Sequence, residues 1–500
     1  MNNRLDNKIR INSVAVELPR DGIRSMSKSL KIIFFVVSGL VGLLVFVAAA
    51  LLFFVDANAY KPRLEATASE ALEMEVKVNG RLGISFFPGL LVILEDVRIR
   101  SRGTDVASAK EARFKIDLLP LFQKEVRIGR IALQHPSISI ERDRDVRFNF
   151  VKPEVARKML RALNLAAISI SGGTLLYTDK QSGQGFEAGD CNLDVRRLQL
   201  SSGNSPDLLK NLSCTAELAC GETITKNFAA SDVKFSVTGK DGIFDFKPVL
   251  MRVYGGQGSG SIQADFTDAV PLYRVSSSLS QFHLEDFFKD LPPNRAVKGM
   301  MDFSADLTMQ GKTVNEMRKT MTGQISLRGK DLTLNGSDLD QEFDRFESSQ
   351  NFNLVDAGAV FFAGPFGLLV TKGYNFASVL RGSGGRSEIK TIVSDWKLER
   401  GVAQAQDVAM ATNENRIALQ GALDFVSERF LDVTMALIDA QGCAKVHQKI
   451  RGTFQKPVVE APNIFKSLAG PLFNLLKKGR DLFPGGKCEI FYAGSVAPPK

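Results

Sequence analysis

Histidine is scarce in this chain: His135, His283 and His447 are the only three in 500 residues. None stands in an HExxH pair, and neither GxSxG nor GxxxxGK[ST] occurs. Zinc hydrolysis, nucleophile-elbow hydrolysis and P-loop phosphate chemistry therefore have no basis in this sequence. GGQGSGS (Gly255–Ser261) is the only glycine-rich stretch. It lacks GxGxxG spacing and comes after VLMRVY, which suits a strand bulge or tight turn better than a phosphate cradle. His135, before Pro136 at a strand break, reads as structural. The acidic pairs Glu285-Asp286 and Asp338/Asp340 fall on surface elements, where solvation explains them. We expect no enzyme, no catalytic residue, no metal and no cofactor.

Tryptophan and tyrosine are few as well, one and six against 35 Phe. Tyr and Trp serve half-wet surfaces because each carries a polar handle, whereas Phe has none. The chain thus provides much purely apolar surface. Five cysteines include no CxxC, which leaves a zinc site without ligands. In an oxidising compartment pairs can form. Cys443 and Cys488 flank a basic segment and are the expected disulfide. Cys191, Cys214 and Cys220 then leave one thiol over.

Charge of one sign is also missing from the long middle of the chain. Net charge is +9, but residues 1–31 carry seven basic and three acidic side chains, and residues 463–500 carry six and two. Only +1 remains between them. A nucleic-acid binder needs a basic stripe on its folded body, so we expect no nucleic-acid partner. Charge at two ends, each beside apolar sequence, suits an anionic lipid surface.

Long hydrophobic runs are absent except for one. Ile32–Val55 is 24 residues without charge or proline, about 36 Å as a helix and enough to cross a hydrocarbon core of about 30 Å. A cleaved signal peptide has a shorter core and leader than this, although Ala57–Ala59 offers small-residue spacing. The basic leader holds the N-terminus in the cytoplasm and sends the bulk across.

Beyond this run the chain turns to alternation. Ala59–Glu75 reads as a short amphipathic helix, and from Val76 the period becomes two. Met301, Phe303, Ala305, Leu307 and Met309 share one face; so do Ile417, Leu419, Leu423 and Phe425, then Val433 and Met435, and Val233, Phe235 and Val237. Such strands make antiparallel sheet with one dry face. Helices interrupt at Val155–Leu165, at Leu284–Asp290, and after Thr313, where Thr313-Val-Asn-Glu316 is a capping box. The dry face is covered either by a second sheet, as a sandwich, or by a ligand in a curled trough. Periodicity alone favours the sandwich, the commoner all-β arrangement.

DANAYKPRLEATASEALEMEVKVNGRLGISFFPGLLVILEDVRI (Asp56–Ile99) resembles the opening of the AsmA family, with its Asp-x-Asn-x-Tyr-[KR]-Pro exit helix and Phe-Pro-Gly turn. ISIERDRDVRFNF (Ile138–Phe150) is similar to the family's next signature, with Val146 where Gly is usual. Met321–Asp340 and Ser394–Phe425 resemble its C-terminal region. The resemblance implies a periplasmic protein anchored in the inner membrane of a Gram-negative envelope, similar to bridge-like lipid-transfer proteins. It favours the trough.

The expected fold is mainly β: a single transmembrane helix, then a long curled antiparallel sheet forming a groove, with a few short helices. The segments are a cytoplasmic tail (1–31), the span (32–55), an N-terminal β module (56–150), a helical connector (151–165), the extended groove (166–440) and a C-terminal amphipathic segment (441–500). On this reading Val233, Phe235, Val237, Met301, Phe303, Leu307, Met309, Ile417, Leu419, Leu423, Phe425, Val433 and Met435 line a groove for phospholipid acyl chains. The function implied is lipid transport between inner and outer membranes. The alternative is an assembly scaffold for outer-membrane proteins. Asn463–Phe483 reads equally as an interfacial helix, a lid or a helix packed on the sheet.

Overall fold

The computed structural model describes residues 57–85, 89–117, 127–143, 167–180, 183–200, 208–225, 229–288, 297–349, 384–460 and 490–499, with residues 39, 120 and 149 singly. The expected span at 32–55 (apart from Gly39), the connector at 151–165, Cys488 and the segment 463–483 lie outside them. Among the described residues no helix is long and apolar enough to cross a membrane.

A 3-10 turn (Ala57–Tyr60) leads into helix α1 (Lys61–Leu72), and strands then succeed one another. They are β1 (Glu75–Val78), β2 (Leu82–Ser85), β3 (Leu90–Ser101), β4 (Thr104–Ile116), β5 (Ile128–Gln134), β6 (Ser137–Arg142), β7 (Ala167–Asp179) and β8 (Gln184–Leu200). After α2 (Leu208–Asn211) come β9 (Leu212–Thr225), β10 (Ala229–Lys240), β11 (Ile243–Val253), β12 (Gly256–Asp265) and β13 (Leu272–His283). Helix α3 (Leu284–Phe287) precedes β14 (Val297–Lys298) and β15 (Met300–Gln310). Helix α4 (Val314–Thr320), β16 (Thr322–Asn335) and α5 (Leu339–Ser349) come next. The last strands are β17 (Arg386–Glu399), β18 (Val402–Ala411), β19 (Arg416–Asp424), β20 (Arg429–Ile438), β21 (Ala444–Thr453) and β22 (Lys456–Val459).

All 22 strands among the described residues belong to one sheet, so there is no separate second sheet among them to make a two-sheet sandwich. The sheet is mixed, a correction to the purely antiparallel expectation. β5 and β6 both run parallel to β7. β5 and β6 lie end to end along β7 in one direction, interrupted at His135-Pro136, and the chain then uses the long connection between Arg142 and Ala167 to re-enter beside them. A parallel pair needs a crossover of that order, where a hairpin would suffice for an antiparallel one.

The first half of the capping box forms as read, with Thr313 Oγ1 accepting from the Glu316 N–H at 3.2 Å, while the Glu316 carboxylate accepts from the N–H of Lys312, one residue before the cap, at 2.8 Å. The surface reading of Asp340 does not hold. Its carboxylate accepts hydrogen bonds from the Thr412 hydroxyl and, at 3.0 Å, from Asn415 Nδ2, so it secures the β18–β19 turn.

The long strands do not alternate throughout. Asp96, Asp190, Asp232, Gln281, Asp331 and Asp432 sit inside strands with φ of 47° to 53°, a left-handed conformation that Asp tolerates better than most residues. At these positions the apolar set changes parity. In β3 it passes from Val92 and Leu94 to Val97 and Ile99; in β16, from Ile325 and Leu327 to Leu332 and Leu334. Bulges bend a strand and increase its twist. Repeated from β3 to β20, they curve the sheet while keeping one apolar face.

From β13 to β22 that face packs into a single large core. Ile389, Ile392, Met410 and Ile417 are fully buried in it, with Leu339 and Phe343 of α5. The opposite face of β17 to β21 is covered by residues 490–499, where Tyr492 and Val496 pack on Val393, Ala409, Ala418 and Ala436. The Tyr492 hydroxyl donates to Asp407 Oδ1 at 2.5 Å, and Arg416 Nη1 donates to the Val496 carbonyl at 2.8 Å.

Candidate hydrophobic groove

Residues directly opposite each other on neighbouring strands share a face. Such pairs can be traced across this sheet without interruption. The path runs from Leu82 to Leu94, Ala112, Leu133, Ile170 and Leu193. It continues through Leu218, Phe235, Val249, Gly260 and Ser277, and then through Ala305, Ile325, Trp396 and Ala405. None of these residues is charged. A parallel path runs from Ile168 through Val195, Ala216, Val237, Phe246, Ile262, Val275 and Leu307.

Along the first path Leu82, Leu94 and Ala112 are buried, and burial then changes twice. Ile170, Leu193, Leu218, Phe235 and Val249 are half-buried, whereas Ile325 and Trp396 are each only 4% exposed. Ile262, on the second path, is 37% exposed. The apolar face is thus partly open up to β13, with Val92, Phe114, Ile131 and Leu133 of β3 to β5 half-buried as well, and sealed beyond β15. Ile170, Leu193, Leu218 and Phe235 belong to the lining of a cleft of about 470 Å³, which Asn192, Asp194, Glu217 and Lys234 also line. Ring pairs Phe235–Phe246 (5.9 Å) and Tyr177–Phe186 (5.6 Å) lie in the same region.

Polar groups occupy the alternate positions. Asp194 stands opposite Glu217, and Arg196 bridges both, at 3.1 and 3.8 Å. Hydrogen bonding to Asp194, then the charges of Asp194 and Glu217, raise the Arg196 guanidinium above its ordinary range. Cys191 and Cys220, on facing positions of β8 and β9, form a disulfide buried with Ala188. The leftover thiol is Cys214, whose pKa is pushed up by burial. Cys443 is also disulfide-bonded.

The anticipated lining residues divide by environment. Val233, Phe235, Phe303, Leu307 and Met309 are half-buried, and Val237 is just buried. Met301, Ile417, Leu419, Leu423, Phe425, Val433 and Met435 are buried in the large core. Periodicity reading overlooked Ile170, Leu193, Leu218, Val249 and Ile262. Their signal was present in NLDV and AELA, but strand bulges shorten each clean alternating run to a few residues.

Chemistry-bearing groups do not converge. His283 pairs with Asp286 at 3.6 Å on an exposed turn, and the His135 N–H donates to the Ser171 carbonyl at 2.8 Å. Among the described residues no three His, Cys, Asp or Glu gather as metal ligands.

No curated protein matches this chain. The AsmA family model matches residues 26–219 and 217–351. The match takes in the exit helix, the Ile138–Phe150 signature and Met321–Asp340, and stops before Ser394–Phe425. It covers more than half of the sequence, and the chain belongs to the AsmA family.

Proposed function

We propose that this chain is an inner-membrane-anchored envelope protein that holds phospholipid acyl chains on the open part of its apolar face. In doing so it supports lipid movement between inner and outer membranes. Residues 32–55 are its anchor, the N-terminus is cytoplasmic and the sheet is periplasmic. One observation carries the reading: an uncharged path, unbroken through successive strand pairs, stays half exposed from β7 to β13, where Asp194, Glu217 and Lys234 hold the alternate positions. Water contact with that face is unfavourable, and each CH₂ removed from water contributes about 0.8 kcal/mol. A track of this kind lowers the cost of carrying a lipid through water and needs no catalytic group.

Envelope association of the family supports this reading. The scaffold alternative requires a sheet edge free to pair with client strands. At β1 the edge amides of Val76 and Val78 are already taken by Ser69 and Glu65, which counts against it.

The test is lipid analysis. Residues 63–500 form one compact unit, so a chain starting at residue 56 can be exported to the periplasm and purified without detergent. Phospholipid at about one or more per chain is the expected result. A monodisperse, lipid-free protein would refute the proposal.

A further inference from the structure

The open face and the sealed core are successive stretches of the same face, and the boundary between them is built. Ala305 of β15 is buried beside Ile325 of β16, and from there every strand to β21 contributes side chains to one packed cluster. Four rings gather at the same boundary. Tyr254 comes directly after β11, Phe282 is the penultimate residue of β13, and Phe287 and Phe288 belong to α3 and its C-cap. Their centroids lie 5.2 Å apart for Tyr254–Phe287, 6.3 Å for Phe282–Phe287 and 4.8 Å for Phe287–Phe288. Phe282 is fully buried.

We infer that the groove is blind at its C-terminal end: acyl chains occupy the face up to β13, and the stretch from β15 to β21 is permanent core and no continuation of the track. This inference rests on the lipid reading above. Native interiors are packed as densely as organic crystals, and side chains there interdigitate without room for a guest. A hydrocarbon chain passing Ile417 or Met435 would have to part contacts that leave those residues at most 1% exposed. Lying over Leu193 or Phe235, it displaces only water.

A chain with this geometry loads and unloads along one side and passes its cargo to another component, where a continuous bridge would conduct it end to end.

The test uses the unmodified full-length chain in vesicles of phosphatidylethanolamine and phosphatidylglycerol doped with a phospholipid bearing a diazirine in its acyl chain. After irradiation, adducts are mapped by peptide mass spectrometry. Adducts confined to residues 75–283 and missing from residues 386–453, by at least tenfold in yield, are expected. Comparable yield on peptides holding Ile417, Val433 and Met435 would overturn the blind end and leave lipid binding standing. Adducts on neither stretch would overturn both the inference and the lipid reading beneath it. No variant is needed, so misfolding cannot imitate a result.

Discussion

The carboxylate of Glu65 accepts the backbone N–H of Val78 at 2.8 Å, and one helical turn later the Ser69 hydroxyl accepts that of Val76 at 2.9 Å. Two side chains of α1 thus satisfy outward amides of the edge strand β1. An unpaired edge is a template for association with another chain. Here it is closed by side chains four residues apart on one helix face.

Replacing both caps, Glu65→Ala with Ser69→Ala, should leave the edge amides to solvent or to a second molecule. Each lost hydrogen bond costs on the order of 1 kcal/mol, more where the acceptor was ionised. Hydrogen exchange at Val76 and Val78 should quicken at least tenfold, and larger species should grow with concentration in light scattering. Unchanged exchange at both amides would contradict the capping role.

Leu193→Asp with Leu218→Asp places two carboxylates on facing positions of the open face. Both side chains are half-buried, so the fold should survive, as a wild-type far-UV spectrum would show. Bound phospholipid should fall more than tenfold, about 1.4 kcal/mol or more in binding. Full lipid content in this folded variant would mean that the face does not hold acyl chains.

The Cys191–Cys220 disulfide closes a loop with a sequence separation of 29. Chain-entropy arithmetic for such a loop gives roughly 3.5 kcal/mol. Cys191→Ala with Cys220→Ala should lower the urea midpoint of this part of the sheet, and reductant should do the same to wild type but not to the variant. Equal midpoints for all of these would show that the bridge adds no stability.

Cys443 is disulfide-bonded, and its strand neighbour across the chain is Ile490, two residues beyond Cys488. We propose Cys443–Cys488 as the second bridge. Protein denatured without reductant should then show one reactive thiol, Cys214. Three thiols would leave Cys443 and Cys488 unpaired. In native protein burial raises the Cys214 pKa, so less thiolate is present at neutral pH and alkylation should be slow.

Asp407 links the C-terminal residues to the sheet through the Tyr492 hydroxyl and the Ser495 N–H. Burial pushes its carboxyl up, but the hydrogen bonds from Ser495 and Tyr492 outweigh that and hold it below the usual carboxylate range. A depressed folded pKa adds stability that is present above the unfolded value of about 3.9 and lost as pH falls through the folded value. Residues 490–499 should stay protected from exchange at neutral pH and become labile in acid below that range. Asp407→Asn should remove most of this pH dependence. Release at the same pH in the variant would assign it to another group.

The class of the protein was legible in the chain before any folding was considered. The lack of catalytic motifs, the placement of charge at the two ends, the single long apolar run and period-two alternation are all local properties. Clean stretches such as Met301–Met309 show their two faces because side chains alternate along any strand. Which part of the apolar face is open was settled only by packing in three dimensions. Phe235 and Met435 belong to equally regular alternating stretches, yet one borders a cleft and the other is sealed, because burial depends on what curls over a residue and not on its neighbours in sequence. Bulges at residues such as Asp190 and Asp331 supply that curl. They reverse alternation midway along a strand, so a two-residue period read straight through them assigns the later residues to the wrong face.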